Sequence, residues 1–477
     1  MSHTVEKIGG TSMSDYQAVL NNIIRPNQPD ASLYGRIFVV SAYGGVTNAL
    51  LEHKKTGEPG VFAHFASDDN HWSWVGALAK AGDAMQAIND RLFTDPSLQA
   101  QADQFITERI EGARSCMTDL LRLTSYGHFN LSGQLQTVRE LLASLGEAHS
   151  AFNLALLLQA EGVNARFIDL TGWRDADLQP LDDKITQAFA EIDPGKELPI
   201  VTGYAQCQEG LMNTFDRGYS EMTFSRIASL TGAREAIIHK EYHLSSADPN
   251  IVGVDEAVPI GRTNYDVADQ LANLGMEAIH PRAAKGLRKQ GIPIRVKNTF
   301  EPDHSGTLID TDYVSQEPCV EIIAGRQNVV AIELFDQDMA GERSIEPQIQ
   351  AILEQFKVRV LGKDLNANSI THYVDAGLKK VRRVVEGLQQ HFPGAEFSTR
   401  KVCIVSAIGS DMTIPGVLSR SVSALAEHDI GVVALQQTMR QVEIRFVIDD
   451  KEYAEAVKAL HRCLIEPHNH EYAICAA

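Results

Sequence analysis

The chain has 477 residues, of which 44% are hydrophobic and 22% charged, the balance of an ordinary globular protein rather than a disordered one. At roughly 100 to 200 residues per domain, this length predicts at least three domains. A net charge of −19 excludes a general nucleic-acid-binding surface, because phosphate backbones attract clustered Lys and Arg.

The start reads as a short strand, Thr4 to Ile8, that breaks into Gly9-Gly10-Thr11-Ser12 and then an amphipathic helix from about Ser14 to Ile24. A second unit follows: Arg36 to Val40 is a β-branched run that ends in Ser41-Ala42-Tyr43-Gly44-Gly45-Val46-Thr47-Asn48 and a helical pattern. Residues 60 to 160 carry mostly helical periodicity, including Gln134 to Gln159, and the pair Trp72 and Trp74 is expected to pack between helices. Strand signals return at Ala165 to Asp169, Leu198 to Thr202, Ala236 to His239 and Ile292 to Lys297, separated by helical patterns such as Met222 to Leu230 and Pro281 to Gln290. Alternating strands and helices predict a largely parallel sheet covered on both faces, with ligands at the carboxyl ends of its strands. Both early glycine loops occupy that position.

After the turn-rich segment Glu301 to Gly306, two passes of a βαββα pattern follow, the first from Val320 to about His391 and the second from Lys401 to Leu464. Two copies predict a duplicated domain rather than a solenoid, which needs about three. The six cysteines, Cys116, Cys207, Cys319, Cys403, Cys463 and Cys475, form no CxxC or Cys/His cluster, so reduced thiols and no metal site are expected. The N-terminus lacks a basic region followed by an apolar one, and no run of about eighteen apolar residues occurs. A soluble, cytoplasmic protein with no membrane partner is expected.

The first loop lets backbone N–H groups approach phosphate oxygens without a Cβ in the way, and Lys7 supplies a point charge. It matches neither GxxxxGK[ST] nor GxGxxG, so a P-loop or a dinucleotide site is unsupported. A glycine pair after a strand is weak by itself, since most such pairs only make turns. Further motifs accompany it: Val39 to Asn48, Gly146-Glu147, Asp216-Arg217-Gly218-Tyr219-Ser220-Glu221, His280-Pro281-Arg282, Gly291 to Phe300 and Gly306 to Ile309. Together and in this order they resemble the aspartate kinase branch of the amino-acid kinase family, across essentially the whole chain.

That resemblance implies an α/β catalytic domain, a three-layer sandwich spanning residues 1–310, followed by ACT-like domains at 311–395 and 396–477. It implies ATP with Mg²⁺ and L-aspartate as the small molecules bound, and L-aspartyl 4-phosphate as product. Lys7 would stabilise the transferring phosphoryl group in a pocket shaped by Gly9, Gly10, Thr11 and Ser12, with Lys297 countering nucleotide phosphate charge. Arg217 would fork onto a substrate carboxylate, Glu147 would pair with the ammonium, and Ser41 and Thr47 would line the same site. A carboxylate nucleophile needs no general base, so alignment and charge neutralisation would do most of the catalysis. Taken singly, Arg217 and Glu147 read as surface ion-pair partners, Lys297 as a solvated strand end, and Ser41 and Thr47 as a turn hydroxyl and a helix cap.

The chain departs from the family in two places. Where the family reads GRGGSD, this chain has Tyr219 for the second glycine and the longer Glu221, a candidate acid, for the aspartate. Where it reads WTDVDGVYTADPR, this chain has His239 to Pro249, and only Ala247-Asp248-Pro249 agrees. Lys240, in that stretch, reads as a charged loop residue facing water, with a phosphate contact as the alternative. The variant resembles the aspartate kinases associated with ectoine synthesis. In the second ACT-like repeat, Gln436 to Arg440 replaces a QGSSE-like run, so feedback control would be altered or absent, and pairing of ACT sheets implies a homo-oligomer. Two rival readings are a kinase of the same fold with another acceptor and an amino-acid sensor with a degenerate kinase domain.

Overall fold

The computed structural model describes residues 2–25, 32–54, 56–67, 72–215, 218–276, 279–337 and 345–467. The chain divides into two units, Met1–His243 with Ile279–Thr311 and Leu244–Ala278 with Asp312–Ala477.

The first unit is built on strands β1 (Thr4–Ile8), β2 (Arg36–Val40), β3 (Ala165–Ile168), β4 (Leu198–Thr202) and β5 (Glu235–Lys240). A short β6 (Arg262–Asn264) belongs to the second unit, and β7 (Ile294–Asn298) and β8 (Thr307–Asp310) complete the first. Its strands run in the order β3-β4-β2-β1-β5-β7-β8, parallel except for the β7–β8 pair. All five residues of β1 are buried, as expected of a central strand covered on both faces. Side chains alternate between the faces. The helices Leu135–Ala160 and Tyr219–Thr231 cover one face. On the other, the Arg36 guanidinium donates to the carbonyls of Ile23 and Ile24, at 2.8 and 3.0 Å, pinning the Val19–Ile24 segment there.

The helix expected from Ser14 to Ile24 is broken: a single turn at Gly10–Met13 precedes Tyr16–Ala18, and Val19–Ile24 widens to a π-turn. Of the tryptophan pair, Trp74 is buried, packed edge-on against Phe65 at 5.5 Å, while Trp72 is exposed and packs between no helices, because it caps the helix Ser73–Leu92 from outside. The helix Leu135–Ala160 is long and apolar enough to cross a membrane, yet 89% of its apolar window is buried inside the protein. It is the core helix of this unit.

In the second unit, β9 (Ile322–Phe335), β10 (Arg359–Leu365), β11 (Ser369–Asp375), β12 (Glu396–Ile408), β13 (Val432–Gln437) and β14 (Glu443–Asp449) form one six-stranded antiparallel sheet in the order β10-β11-β9-β12-β14-β13. The two βαββα repeats are both present. They do not stand as two separate sheets, because their first strands, β9 and β12, pair along nearly their whole length. The chain divides at Thr311/Asp312, beside the expected boundary at 310, while residues 244–278 group with the second unit. There Leu244, Ile260, Val267, Leu271 and Leu274 share a core with Ile322, Val329, Ile404 and Val447. Apolar faces settle that partition, and chain order does not reveal it.

Candidate active site

The carboxyl ends of β4, β2, β1, β5 and β7 line up at one edge of the sheet. Gly203 N donates to Val40 O, Ser41 N to Ile8 O, Gly9 N to His239 O and Thr299 N to Lys240 O, at 3.0, 3.1, 3.1 and 2.7 Å. The chain exits of both early glycine loops are therefore adjacent, as the strand-loop pattern predicts. Close backbone approach explains the glycine at position 10, where a Cβ would lie 2.6 Å from Ala42 O. The turn that follows is too short for much helix dipole, so Gly9 and Gly10 contribute mainly access for a ligand to backbone N–H groups. Thr11 is exposed, whereas Ser12 is buried and its hydroxyl is bound to Thr299 Oγ1 at 2.8 Å.

On the helix-covered face, Lys7 Nζ lies 3.4 Å from Glu221 Oε1, with side chains only 11% and 13% exposed. Glu221 stands in the first turn of Tyr219–Thr231, and its other oxygen accepts from His280 N at 2.6 Å. Burial pushes this carboxyl up, but the charges of Lys7 and Lys240 and the His280 N–H outweigh it and hold Glu221 below the usual carboxylate range. It is anionic at neutral pH. Its neighbour Ser220 donates to Glu147 Oε1 at 2.6 Å.

Glu147 is buried in the helix Leu135–Ala160, and its Oε2 has no hydrogen-bond partner within the protein. Burial raises its pKa to about 8, against the opposing pull of the Ser220 hydroxyl and the Lys7 charge. The space beside it is kept by glycines. A Cβ on Gly203 would sit 2.7 Å from Glu147 Oε2, and one on Gly146 would sit 2.8 Å from Ala42 Cβ and 2.9 Å from Val46 Cγ1. The Ser41 to Asn48 loop thus rests directly on the helix that carries Glu147, and Ser150 Oγ ties it down through Ser41 O at 2.9 Å. Thr47 lies in the first turn of the helix Val46–Leu50, partly exposed, behind the left-handed Gly45.

Lys297 takes a different place. Its register partner on β5 is His239, which hydrogen-bonds Glu6 at 2.8 Å, so Lys297 projects from the face opposite Lys7. There Glu6 accepts from Arg36 at 2.6 and 2.8 Å, and burial, with the charges of Arg295 and Arg36, depresses the pKa of Lys297 against the opposing pull of Glu6. Asp216 and Arg217 lie outside the described residues. The helix before them, Leu211–Phe215, is anchored by Glu140, which accepts from Met212 N and Tyr204 Oη at 2.8 and 2.7 Å. Tyr219, which replaces a family glycine, is buried edge-on against Tyr204.

Sequence reasoning gave no role to Ser220, Gly203 or His280, and it read Lys240 as water-facing. Lys240 instead closes β5, is only partly exposed, and shares its face with Lys7. The alternation of β5 about His239 is the signal that could have placed it.

The amino acid kinase family matches residues 3–298, and an ACT domain matches residues 405–464. Aspartate kinase Ask_Ect of Stutzerimonas stutzeri (strain A1501) is 56% identical over 475 residues, covering 100% of both chains. The aspartokinase of Saccharomyces cerevisiae is 24% identical over 97% of this chain and 92% of its own. Among solved structures, E. coli aspartokinase III in complex with aspartate and ADP aligns with a TM-score of 0.70 at 19% identity, over 98% of this chain and 100% of that one. The Clostridium acetobutylicum aspartate kinase aligns with a TM-score of 0.69 at 20% identity, over 97% and 100%. At such identities the likeness to the solved structures is one of fold.

Proposed function

The chain belongs to the amino acid kinase family and is an aspartate kinase, and from that premise we propose how it moves the γ-phosphoryl group of ATP onto the side-chain carboxylate of L-aspartate. The observation that carries the reading is the pairing of Lys7 with Glu221 beside the buried Glu147, at the carboxyl edge of a parallel sheet. A cation poised over two glycines suits a phosphoryl group in transfer, and an unsatisfied buried carboxyl suits a substrate ammonium.

In this reading a carboxylate oxygen of aspartate attacks the γ-phosphorus, the bond to the β-phosphate oxygen breaks, and ADP leaves. No proton has to be removed from the nucleophile, so the protein's work is alignment and charge neutralisation. Lys7 faces the transferring group, with Gly9, Gly10 and Thr11 opening the backbone to it. Ser12 shapes the pocket through its bond to Thr299. Glu147 receives the ammonium, Ser41 and Thr47 border the amino-acid side, and Arg217 forks onto a carboxylate. Glu221 holds Lys7 in place. Among the described residues no three His, Cys, Asp or Glu side chains gather as a metal cage, and we read Mg²⁺ as entering with ATP, held by phosphate oxygens and water.

The product is an acyl phosphate, an activated carboxyl that opens the route to aspartate-family amino acids. We read ectoine as one of its destinations, a reading supported by the resemblance to ectoine-associated kinases and by the likeness to Ask_Ect of Stutzerimonas stutzeri. We further read the protein as a cytoplasmic homo-oligomer joined through its ACT-type sheets. ADP release measured against a panel of aspartate, glutamate, carbamate and nucleoside monophosphates tests the acceptor. Aspartate should exceed every other member by at least tenfold, and a preference for any other acceptor removes the assignment.

A further inference from the structure

The face of the sheet that carries Lys7 holds a second lysine. Lys7 is in register with Ile238 on β5, and Lys240 lies two residues further along the same strand, so the two side chains leave the sheet on one side. Strand geometry puts their Cα atoms roughly 8 Å apart. Lys240 is the last residue of β5, its carbonyl is fixed by Thr299 N at 2.7 Å, and its side chain is partly exposed at the edge where ligands bind such sheets. Lys297, the lysine that the sequence offers for phosphate, stands on the far side with Glu6 and Arg36.

We propose that Lys240, and not Lys297, is the second phosphate-binding cation of this kinase, seated against the β-phosphate of ATP while Lys7 faces the γ-phosphate. The assignment rests on the aspartate kinase reading above. Charge accumulates on the β-phosphate as its bond to the γ-phosphorus breaks, and a fixed ammonium there stabilises ADP as the leaving group without any proton transfer. Glu221 feels both lysines, and with His280 N holding its other oxygen it acts as a positioning residue that keeps the two like charges together before ATP arrives.

The test compares nucleotide binding and turnover in the full-length protein. ADP and AMP differ by the phosphate that Lys240 is assigned to, so calorimetric affinities for Mg·ADP and AMP are measured in wild type, Lys240→Met, Lys240→Arg and Lys297→Met, alongside aspartyl hydroxamate formation. Removing one preorganised charge from a transition state costs about 10²-fold or more. Lys240→Met should therefore lose about 10²-fold in kcat and at least about tenfold in ADP affinity, with AMP affinity unchanged. Lys240→Arg should recover part of both, and Lys297→Met should hold its preference for ADP over AMP. Lys240→Gln replaces the methionine variant if that does not fold. The proposal is overturned if the folded Lys240 variants keep the wild-type preference for ADP over AMP, or if Lys297→Met is the one that loses it. A wild-type protein that makes no hydroxamate would instead count against the aspartate kinase reading, with the ADP-to-AMP comparison still deciding the place of Lys240.

Discussion

Glu147 and Ser220 meet at 2.6 Å, Oγ to Oε1, and this bond joins the helix Leu135–Ala160 to the one that carries Glu221 and, through it, Lys7. The proposed acceptor and phosphoryl halves of the site are thereby tied to each other across the two helices that cover one face of the sheet. Ser220→Ala should remove a hydroxyl hydrogen bond from the buried Glu147 carboxyl, whose Oε2 already has no partner within the protein. It should raise the KM for aspartate several-fold and cost about 1 to 3 kcal/mol of stability, measured by steady-state kinetics and urea unfolding.

Glu147 gives the enzyme a pH dependence with a definite sign. With a pKa raised to about 8, its carboxyl is neutral in the empty site at pH 7 and must ionise to pair with an ammonium. Apparent aspartate affinity should rise with pH, by up to about tenfold per unit, and level off near pH 8. Glu147→Gln should flatten this profile while weakening aspartate binding. A titration of KM for aspartate from pH 6 to 9 in both proteins checks it.

On the role proposed for Lys7 at the phosphoryl group, Lys7→Met should lower kcat by about 10²- to 10³-fold and leave the KM for aspartate within a few-fold. Single-turnover kinetics with a thermal melt as folding control separate loss of charge from loss of structure.

Gly203→Ala places a methyl 2.7 Å from Glu147 Oε2, 2.8 Å from Val40 O and 3.0 Å from Ser220 Cβ. The Val40 carbonyl is backbone of a central strand and cannot give way, so the substitution should cost about 1 to 3 kcal/mol and, by displacing the Glu147 carboxyl, raise the KM for aspartate. Denaturant unfolding and kinetics on the purified variant measure both effects.

On the far side of the sheet, Glu6 is buried between Arg36 and His239. Burial pushes its carboxyl up, but the Arg36 charge and the bonds from Arg36 and His239 win and hold it well below the usual range. A depressed carboxyl contributes stability that is complete above the unfolded value of 4.5 and is lost as pH falls below it. Glu6→Gln should destabilise by about 3 to 5 kcal/mol at pH 7, because Arg36 is left buried without its partner. Its melting temperature should also fall less than that of wild type between pH 5 and 3, which a melting series across that range checks.

Much of this was legible in the residues, and the parts that were not share a cause. Strand exits at Ile8 and Val40 could be read from β-branched runs ending in glycines, which set Lys7 and Gly9-Gly10 at the carboxyl edge of the sheet. The duplicated βαββα pattern was equally visible. What chain order cannot show is which face a side chain takes when several strands assemble. Lys297 reads as a strand end and Lys240 as a loop residue, and only their register with His239 and Asn298 shows which face of the sheet each takes. The second unit's claim on residues 244–278 and the single sheet shared by the two repeats are likewise products of packing between segments distant in sequence. Tyr219 looked like damage to a glycine motif, yet its ring fills the space beside Tyr204.

The most direct test of the central claim is hydroxylamine trapping of the acyl phosphate. Purified protein with ATP, Mg²⁺, L-aspartate and hydroxylamine should form aspartyl hydroxamate in step with ADP, and omission of aspartate should abolish both. ADP released without hydroxamate, or no turnover at all from folded protein, would contradict the assignment of Lys7, Glu147 and Glu221 to aspartate phosphorylation.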